Sequence, residues 1–186
     1  MVRSAATFLK NVKLLSGNIV DENVDALICP VTPDMQTQNP VSRAIFDAAG
    51  FDCVDYIMKN IEKPRAGESY VVPGHGLVAR HILLTLTPHW RDGIQNEDRA
   101  LLTAYRTALA AGIEQGFASI ALPAMISGSP HYPPERAARL VMGVLAERLP
   151  LPAYAGLTDI RIVSHTADHA GFIETRLGKS GWIKQA

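Results

Sequence analysis

The sequence predicts an α/β fold in which a mostly parallel or mixed sheet carries helices on both faces, a three-layer α/β/α arrangement. Three observations predict it. Short apolar runs alternate along the chain with longer segments whose apolar residues recur at helical spacing. Pro and Gly fall singly between these segments, with no internal repeat, no low-complexity stretch and no linker long enough to divide two cores. The 186 residues, 47% of them hydrophobic, hold enough apolar material for one well-packed core, so one domain over residues 1–186 is expected.

Taken in order, Val12–Ser16 reads as a short strand and Ala26–Val31 as a continuous apolar run of the kind found in buried strands. Pro40 opens a helix whose apolar positions Val41, Ala44, Ile45, Ala48 and Ala49 fall at helical spacing, and Gly50 is a natural stop. Residues 69–72 and His81–Leu86 are strand candidates separated by the turn-prone Pro73-Gly74-His75-Gly76, a local hairpin. From 97 to 116, Leu101, Leu102, Tyr105, Ala108, Leu109 and Ile113 form an amphipathic helical stripe. Residues 119–122 are a short buried strand. Pro134 and Glu135 then supply a proline and an acid for the first turn of a helix reaching about Leu149. A last strand is expected over 159–165 and a final helix over 167–177, ending before Gly178.

Lys and Arg number 18, as do Asp and Glu, and the cations are spread along the chain, which excludes a broad electrostatic grip on nucleic acid or anionic lipid. An anionic ligand must therefore be held by local geometry, such as backbone N–H groups or a helix N-terminus. The two cysteines, Cys29 and Cys53, have neither disulfide-framework nor zinc spacing. That usage, the lack of an apolar h-region in the first fifteen residues and the lack of a span-length apolar stretch lead us to expect a cytoplasmic protein with no membrane contact. No cofactor is expected. His165 and His169 are four apart, but no third ligand accompanies them and no metal site is expected.

In an open α/β sheet, ligands sit in a crevice at the carboxyl ends of the strands. That rule selects the loop after the second strand, from Cys29 to Pro40, and the loop from Pro123 to Pro133. In the second loop, Gly128 can approach a ligand closely, Ser127 and Ser129 offer hydroxyls, and the helix start near Pro134 directs its positive end nearby. An ordinary strand-to-helix connection has the same residue types.

The order of segments resembles the macro domain family. It runs from Leu15-Ser16-Gly17-Asn18-Ile19 through Val24-Asp25-Ala26-Leu27-Ile28, Arg43-Ala44-Ile45 with Ala48-Ala49-Gly50, and Ala66-Gly67-Glu68. It continues with Thr87-Pro88-His89-Trp90, Tyr105-Arg106, Ser119-Ile120-Ala121-Leu122-Pro123-Ala124, Gly128, Tyr132-Pro133 and Glu135 with Ala137-Ala138. The resemblance covers about residues 13–177, leaving a short tail over 178–186, and its specificity lies in collinearity rather than in one motif. It implies a mixed sheet between helices and an ADP-ribose cleft formed by the two loops.

Carried over residue by residue, the resemblance places Asn18 where the family's aspartate receives the adenine amino group. Asn18 can still accept through its amide oxygen, without charge assistance. Thr32 stands where a ribose-binding asparagine would be, and Gln38-Asn39-Pro40 replaces the glycine-rich loop. Ser42 and Phe46 occupy the positions of the hydrolase branch's aspartate and histidine, which removes its water-activating group. The loop of a second hydrolase branch carries an aspartate that the stretch from Pro123 to Pro133 lacks. Ile126-Ser127-Gly128 preserves part of the family's Ser-Thr-Gly phosphate cradle.

Asn18 and His165 are thus expected toward the base, Thr32 and Ser42 toward the distal ribose, and Ser127, Gly128, Ser129 and His131 toward the diphosphate, with Gly17, Ile19, Val41 and Tyr132 as further ligand-binding residues. His131 is either a diphosphate contact and acid or a solvated loop residue. His165 is either a ring stacked on adenine or a strand-end cap. Asp25 either bonds backbone groups or reaches the adenine side, the structural role being preferred. Trp90 and Tyr105 are read as packing residues, and Cys29 as buried and inert.

Three functions follow. The favoured one is a module binding ADP-ribose, or a related nucleotide diphosphate, free or on ADP-ribosylated macromolecules. The second is an ADP-ribosyl hydrolase of altered, substrate-assisted mechanism, with His131 and Ser127 as catalytic candidates. The third is a degenerate fold serving as an interaction protein.

Overall fold

The computed structural model describes residues 11–36 and 39–165. The described residues contain six strands, β1 (Val12–Ser16), β2 (Ala26–Val31), β3 (Ser69–Pro73), β4 (His81–Leu86), β5 (Ser119–Pro123) and β6 (Asp159–Ser164), and four helices, α1 (Pro40–Ala49), α2 (Phe51–Asn60), α3 (Glu97–Glu114) and α4 (Pro134–Arg148). The strands form one sheet in the order β1-β6-β5-β2-β4-β3. Every neighbouring pair is parallel except β3 with β4, so the expected mixed sheet and local hairpin are both present. Pro73 ends β3 at the sheet edge, where a strand tolerates a missing N–H.

All six residues of β2 are buried, as the continuous apolar run requires of a strand covered on both faces. Alternation sends Ala26 and Ile28 into a core under α3 and α4, with Tyr105, Leu109, Val141 and Leu145. Leu27, Cys29 and Val31 go to the opposite face, with Ile45, Cys53 and Ile57 of α1 and α2. These two cores are the physical content of the three layers.

Helix α2 was not expected from the sequence. Gly50, at φ 83°, ends α1 as predicted, but the chain turns there and starts a second helix whose Cys53 and Ile57 pack inward while Phe51 and Met58 face out. Its apolar residues thus lie on both sides, which blurs the helical stripe. The final helix expected over 167–177, together with His169 and the tail, lies outside the described residues.

Asp25 takes the structural role. Its carboxylate accepts from the Ala118 and Ser119 amides and the Ser119 hydroxyl, at the amino ends of β2 and β5 and so at the opposite end of the sheet from the crevice. Burial opposes its ionisation, but these bonds prevail and hold its carboxyl below the ordinary range.

Candidate functional site

The pairing of β2 with β5 is confined to Ala26 with Ile120 and Leu27 with Ala121. Beyond it no further pairs join the two strands, and the chain continues from β2 to β3 on one side of the sheet and from β5 to β6 on the other, the arrangement that opens a crevice in α/β folds. Pro30 lies beyond the last β2–β5 pair, so its missing N–H takes nothing from that ladder.

Two cavities lie on this end of the sheet. One, of about 230 Å³, is lined by Gly17, Asn18, Ile19, Pro40, Val41, Ala44, Pro123, Val163 and His165. The other, of about 140 Å³, is lined by Pro40, residues 124–127, Ser129, Pro130, Tyr132, Pro134 and Ala137. Pro40 belongs to both.

The first cavity gathers Gly17, Asn18, Ile19, Val41 and His165, and so brings together Asn18 and His165, the two residues expected toward the base. Gly17 N–H donates to Ser164 O at 2.9 Å, which ties the ends of β1 and β6 together at the wall of this cavity. Asn18 is exposed, and its side-chain oxygen caps the short helical turn Ile19–Asp21 through a long 3.4 Å bond from Val20 N–H. A contact that long leaves the oxygen capacity for a second donor. His165 is exposed at the mouth.

The second cavity gathers Ser127, Ser129 and Tyr132. Its loop is fixed from several sides: Tyr105 hydroxyl donates to Ile126 O at 2.7 Å, Asn39 Nδ2 to Ser127 O at 2.6 Å, and Trp90 N–H to Ser129 Oγ at 3.1 Å. Ser127 Oγ itself accepts from Ser129 N–H at 3.2 Å. Tyr132 is buried, its ring 4.6 Å from that of Trp90, and Arg136 lies over the other component of this stack, 5.2 Å from the Trp90 ring centroid. Burial and the neighbouring Asp98 carboxylate push the Tyr132 phenol up, so it remains a hydrogen-bond donor across the working pH range.

Four expected site residues, Thr32, Ser42, Gly128 and His131, line neither of these cavities. Thr32 is buried and donates its hydroxyl to Asp34 Oδ1 at 2.6 Å, because the loop turns back on itself directly after β2. Ser42 is buried and donates to Pro30 O, supplying the carbonyl that the parting of β5 from β2 leaves without a strand partner. Gly128 lines neither cavity: its N–H donates to Thr87 Oγ1 at 2.8 Å, and a Cβ there would meet Val31 C and Cα at 2.6 Å. A glycine at this position lets the loop pack closely against the end of β2. His131 is exposed and lines neither cavity. Phe46 packs against the core under α1, at the position of the expected histidine.

The sequence reading missed Asn39 as a contact residue. Asn before Pro at a helix start signals an N-cap, and the cap exists, with Val41 N–H donating to Asn39 Oδ1 at 2.8 Å. The bond from its other end to Ser127 O joins segments 88 residues apart and leaves no spacing signal. Asp34 and His89 were also missed: His89 Nε2 lies 3.6 Å from Asp34 Oδ1, one residue from the Trp90 amide that meets Ser129.

An open α/β sheet with a crevice where strands part, bordered by a strand-to-helix loop, defines a nucleotide-type binding fold. The Macro domain family model matches residues 29–141, and the chain belongs to this family. It is 30% identical over 75% of its length to a macro domain-containing protein of Caldanaerobacter subterraneus subsp. tengcongensis, covering 82% of that relative. It is 29% identical to a protein of Citrobacter rodentium named O-acetyl-ADP-ribose deacetylase, over 73% of this chain and 78% of that one. Among solved structures, the Trypanosoma brucei macrodomain in complex with ADP-ribose superposes with a TM-score of 0.80 at 23% identity, covering 94% of this chain and 72% of the other. The Oceanobacillus iheyensis macrodomain mutant with ADP-ribose gives 0.79 at 20% identity over 91% and 92%.

Proposed function

We propose that this chain binds ADP-ribose, with the adenine end in the cavity bordered by Asn18 and His165 and the remainder directed toward the Ser127 to Tyr132 side. The observation that carries this reading is the pair of cavities that meet at Pro40 on the carboxyl end of the sheet. A nucleoside needs an apolar slot with a few polar groups at its edge, and Ile19, Val41, Ala44 and Val163 around Asn18 supply both. Two structural neighbours crystallised with ADP-ribose and a relative named O-acetyl-ADP-ribose deacetylase support the ligand class. ADP-ribosylated macromolecules would be read through the same group.

The test is isothermal titration with ADP-ribose, with AMP and NAD as comparisons. Saturable heat with ADP-ribose that AMP competes away supports the reading. No heat with any of the three contradicts it.

A second reading, hydrolysis of an ADP-ribosyl ester, is favoured by the Asp34 and His89 pair, a carboxylate beside an imidazole close to Ser129. The pair is a candidate beside His131 and Ser127, because an imidazole next to a carboxylate can take up a proton from water. Turnover of O-acetyl-ADP-ribose that disappears in His89→Ala while binding persists would support it, and an inert wild type would exclude it.

A further inference from the structure

We infer that Asn39 is a latch that divides the cleft, so that the chain discriminates between ligands confined to the Asn18 cavity and ligands that extend past Pro40 into the second one. The inference rests on the binding reading above and adds what sets its ligand preference. Asn39 is 1% exposed and its amide works at both ends. Its oxygen accepts from Val41 N–H at 2.8 Å and caps α1. Its Nδ2 donates to Ser127 O at 2.6 Å, and so ties the loop before α1 to the loop after β5.

The position of this tie matters because of its neighbours. The next residue, Pro40, lines both cavities, and the acceptor residue, Ser127, lines the second. The tie and the proline ring therefore stand at the junction through which a ligand occupying both cavities must pass. Neither is easily displaced: the amide is buried, so breaking its bond leaves a donor and an acceptor without partners. Pro40 is held at a fixed φ as the first residue of α1.

A ligand that fits within the Asn18 cavity, such as AMP, meets the protein as it stands. A longer ligand, with a diphosphate and second ribose, binds only the fraction of molecules in which Asn39 has released Ser127. Its apparent affinity is then reduced by that fraction.

The test uses Asn39→Ser. A serine keeps an oxygen in N-cap position for Val41 N–H, so α1 keeps its cap, but its shorter side chain cannot reach Ser127 O. Asn39→Gly is the second variant, since glycine is also a good N-cap residue and lacks the donor. Thermal melts identify any variant that has lost its fold.

Titrations with AMP and ADP-ribose on the wild type and both variants give the readout. The expected result is AMP affinity unchanged within about two-fold and ADP-ribose affinity raised about ten-fold, equivalent to about 1.4 kcal/mol. ADP-ribose affinity equal in wild type and folded variants overturns the latch and leaves the binding reading in place. Absence of binding by AMP and ADP-ribose in all three proteins overturns both.

Discussion

Tyr132 and Asp98 are joined by a 2.7 Å hydrogen bond from the phenol to Oδ1, across 34 residues, at the wall of the second cavity. The same carboxylate receives Arg136 in a two-pronged contact, Nε to Oδ1 at 2.9 Å and Nη2 to Oδ2 at 2.9 Å. The start of α4, the start of α3 and the cavity wall are thereby one unit. Tyr132→Phe removes one bond but leaves Asp98 with its arginine, and is expected to lower stability by about 1 to 2 kcal/mol in urea unfolding. Tyr132→Ala removes the ring as well and is expected to cost about 3 to 5 kcal/mol. Equal effects of the two would show that the ring contributes nothing to the wall.

Gly128 predicts an asymmetric pair of substitutions. In Gly128→Ala the new methyl meets Val31 and Thr32 backbone atoms at 2.6 to 2.9 Å, and backbone cannot rotate away. A loss of about 1 to 3 kcal/mol is expected from this overpacking. Gly143, in the middle of α4 with open space around its would-be Cβ, behaves oppositely: Gly143→Ala is expected to raise stability by up to about 1 kcal/mol. Thermal or denaturant unfolding of both variants decides, and tolerance of alanine at 128 would mean that the loop does not press on β2.

Legibility in the sequence followed from how local each feature is. Strand β2 and helix α3 carry their signal within a few residues, a six-residue apolar run and a stripe at helical spacing, and both were read within a residue or two of their ends. Helix α2 escaped because exposed Phe51 and Met58 share it with buried Cys53 and Ile57. Asn18 and His165 line one cavity because each follows the end of one of the paired strands β1 and β6. The partners of Thr32, Ser42 and Gly128 were not legible: each polar group is satisfied by a residue in another segment or by a loop turning on itself, and residue type cannot reveal that.

Ser42 therefore makes a prediction opposite to its expected ribose contact. Ser42→Ala leaves the Pro30 carbonyl buried without its donor, at an expected cost of about 1 to 3 kcal/mol in unfolding. Affinity for ADP-ribose should stay within about two-fold of wild type. A large loss of affinity with unchanged stability would return Ser42 to the ligand.

Glu97 sets an acid-stability prediction. Burial of its side chain opposes ionisation, but the N–H groups of Glu97, Gly93, Asp92 and Gln95 point at the carboxylate and bring its pKa down to about 2. Because the folded value lies below the ordinary 4.5, the stabilisation is complete above about pH 4.5 and is lost as pH falls toward 2. Urea midpoints measured from pH 6 to pH 2.5 should fall with acid in wild type. In Glu97→Gln they should start lower and fall less steeply, and identical slopes would show that Glu97 is not the linked group.

The most direct test of the central claim is calorimetric titration of ADP-ribose into wild type and Ala44→Phe, which fills the Asn18 cavity from α1. Saturable binding by wild type with a Kd between about 1 and 100 µM, about −8.2 to −5.5 kcal/mol, and its loss in the filled variant are the predicted results. Undiminished binding by Ala44→Phe would place the ligand elsewhere, and no binding by wild type would contradict an ADP-ribose cleft.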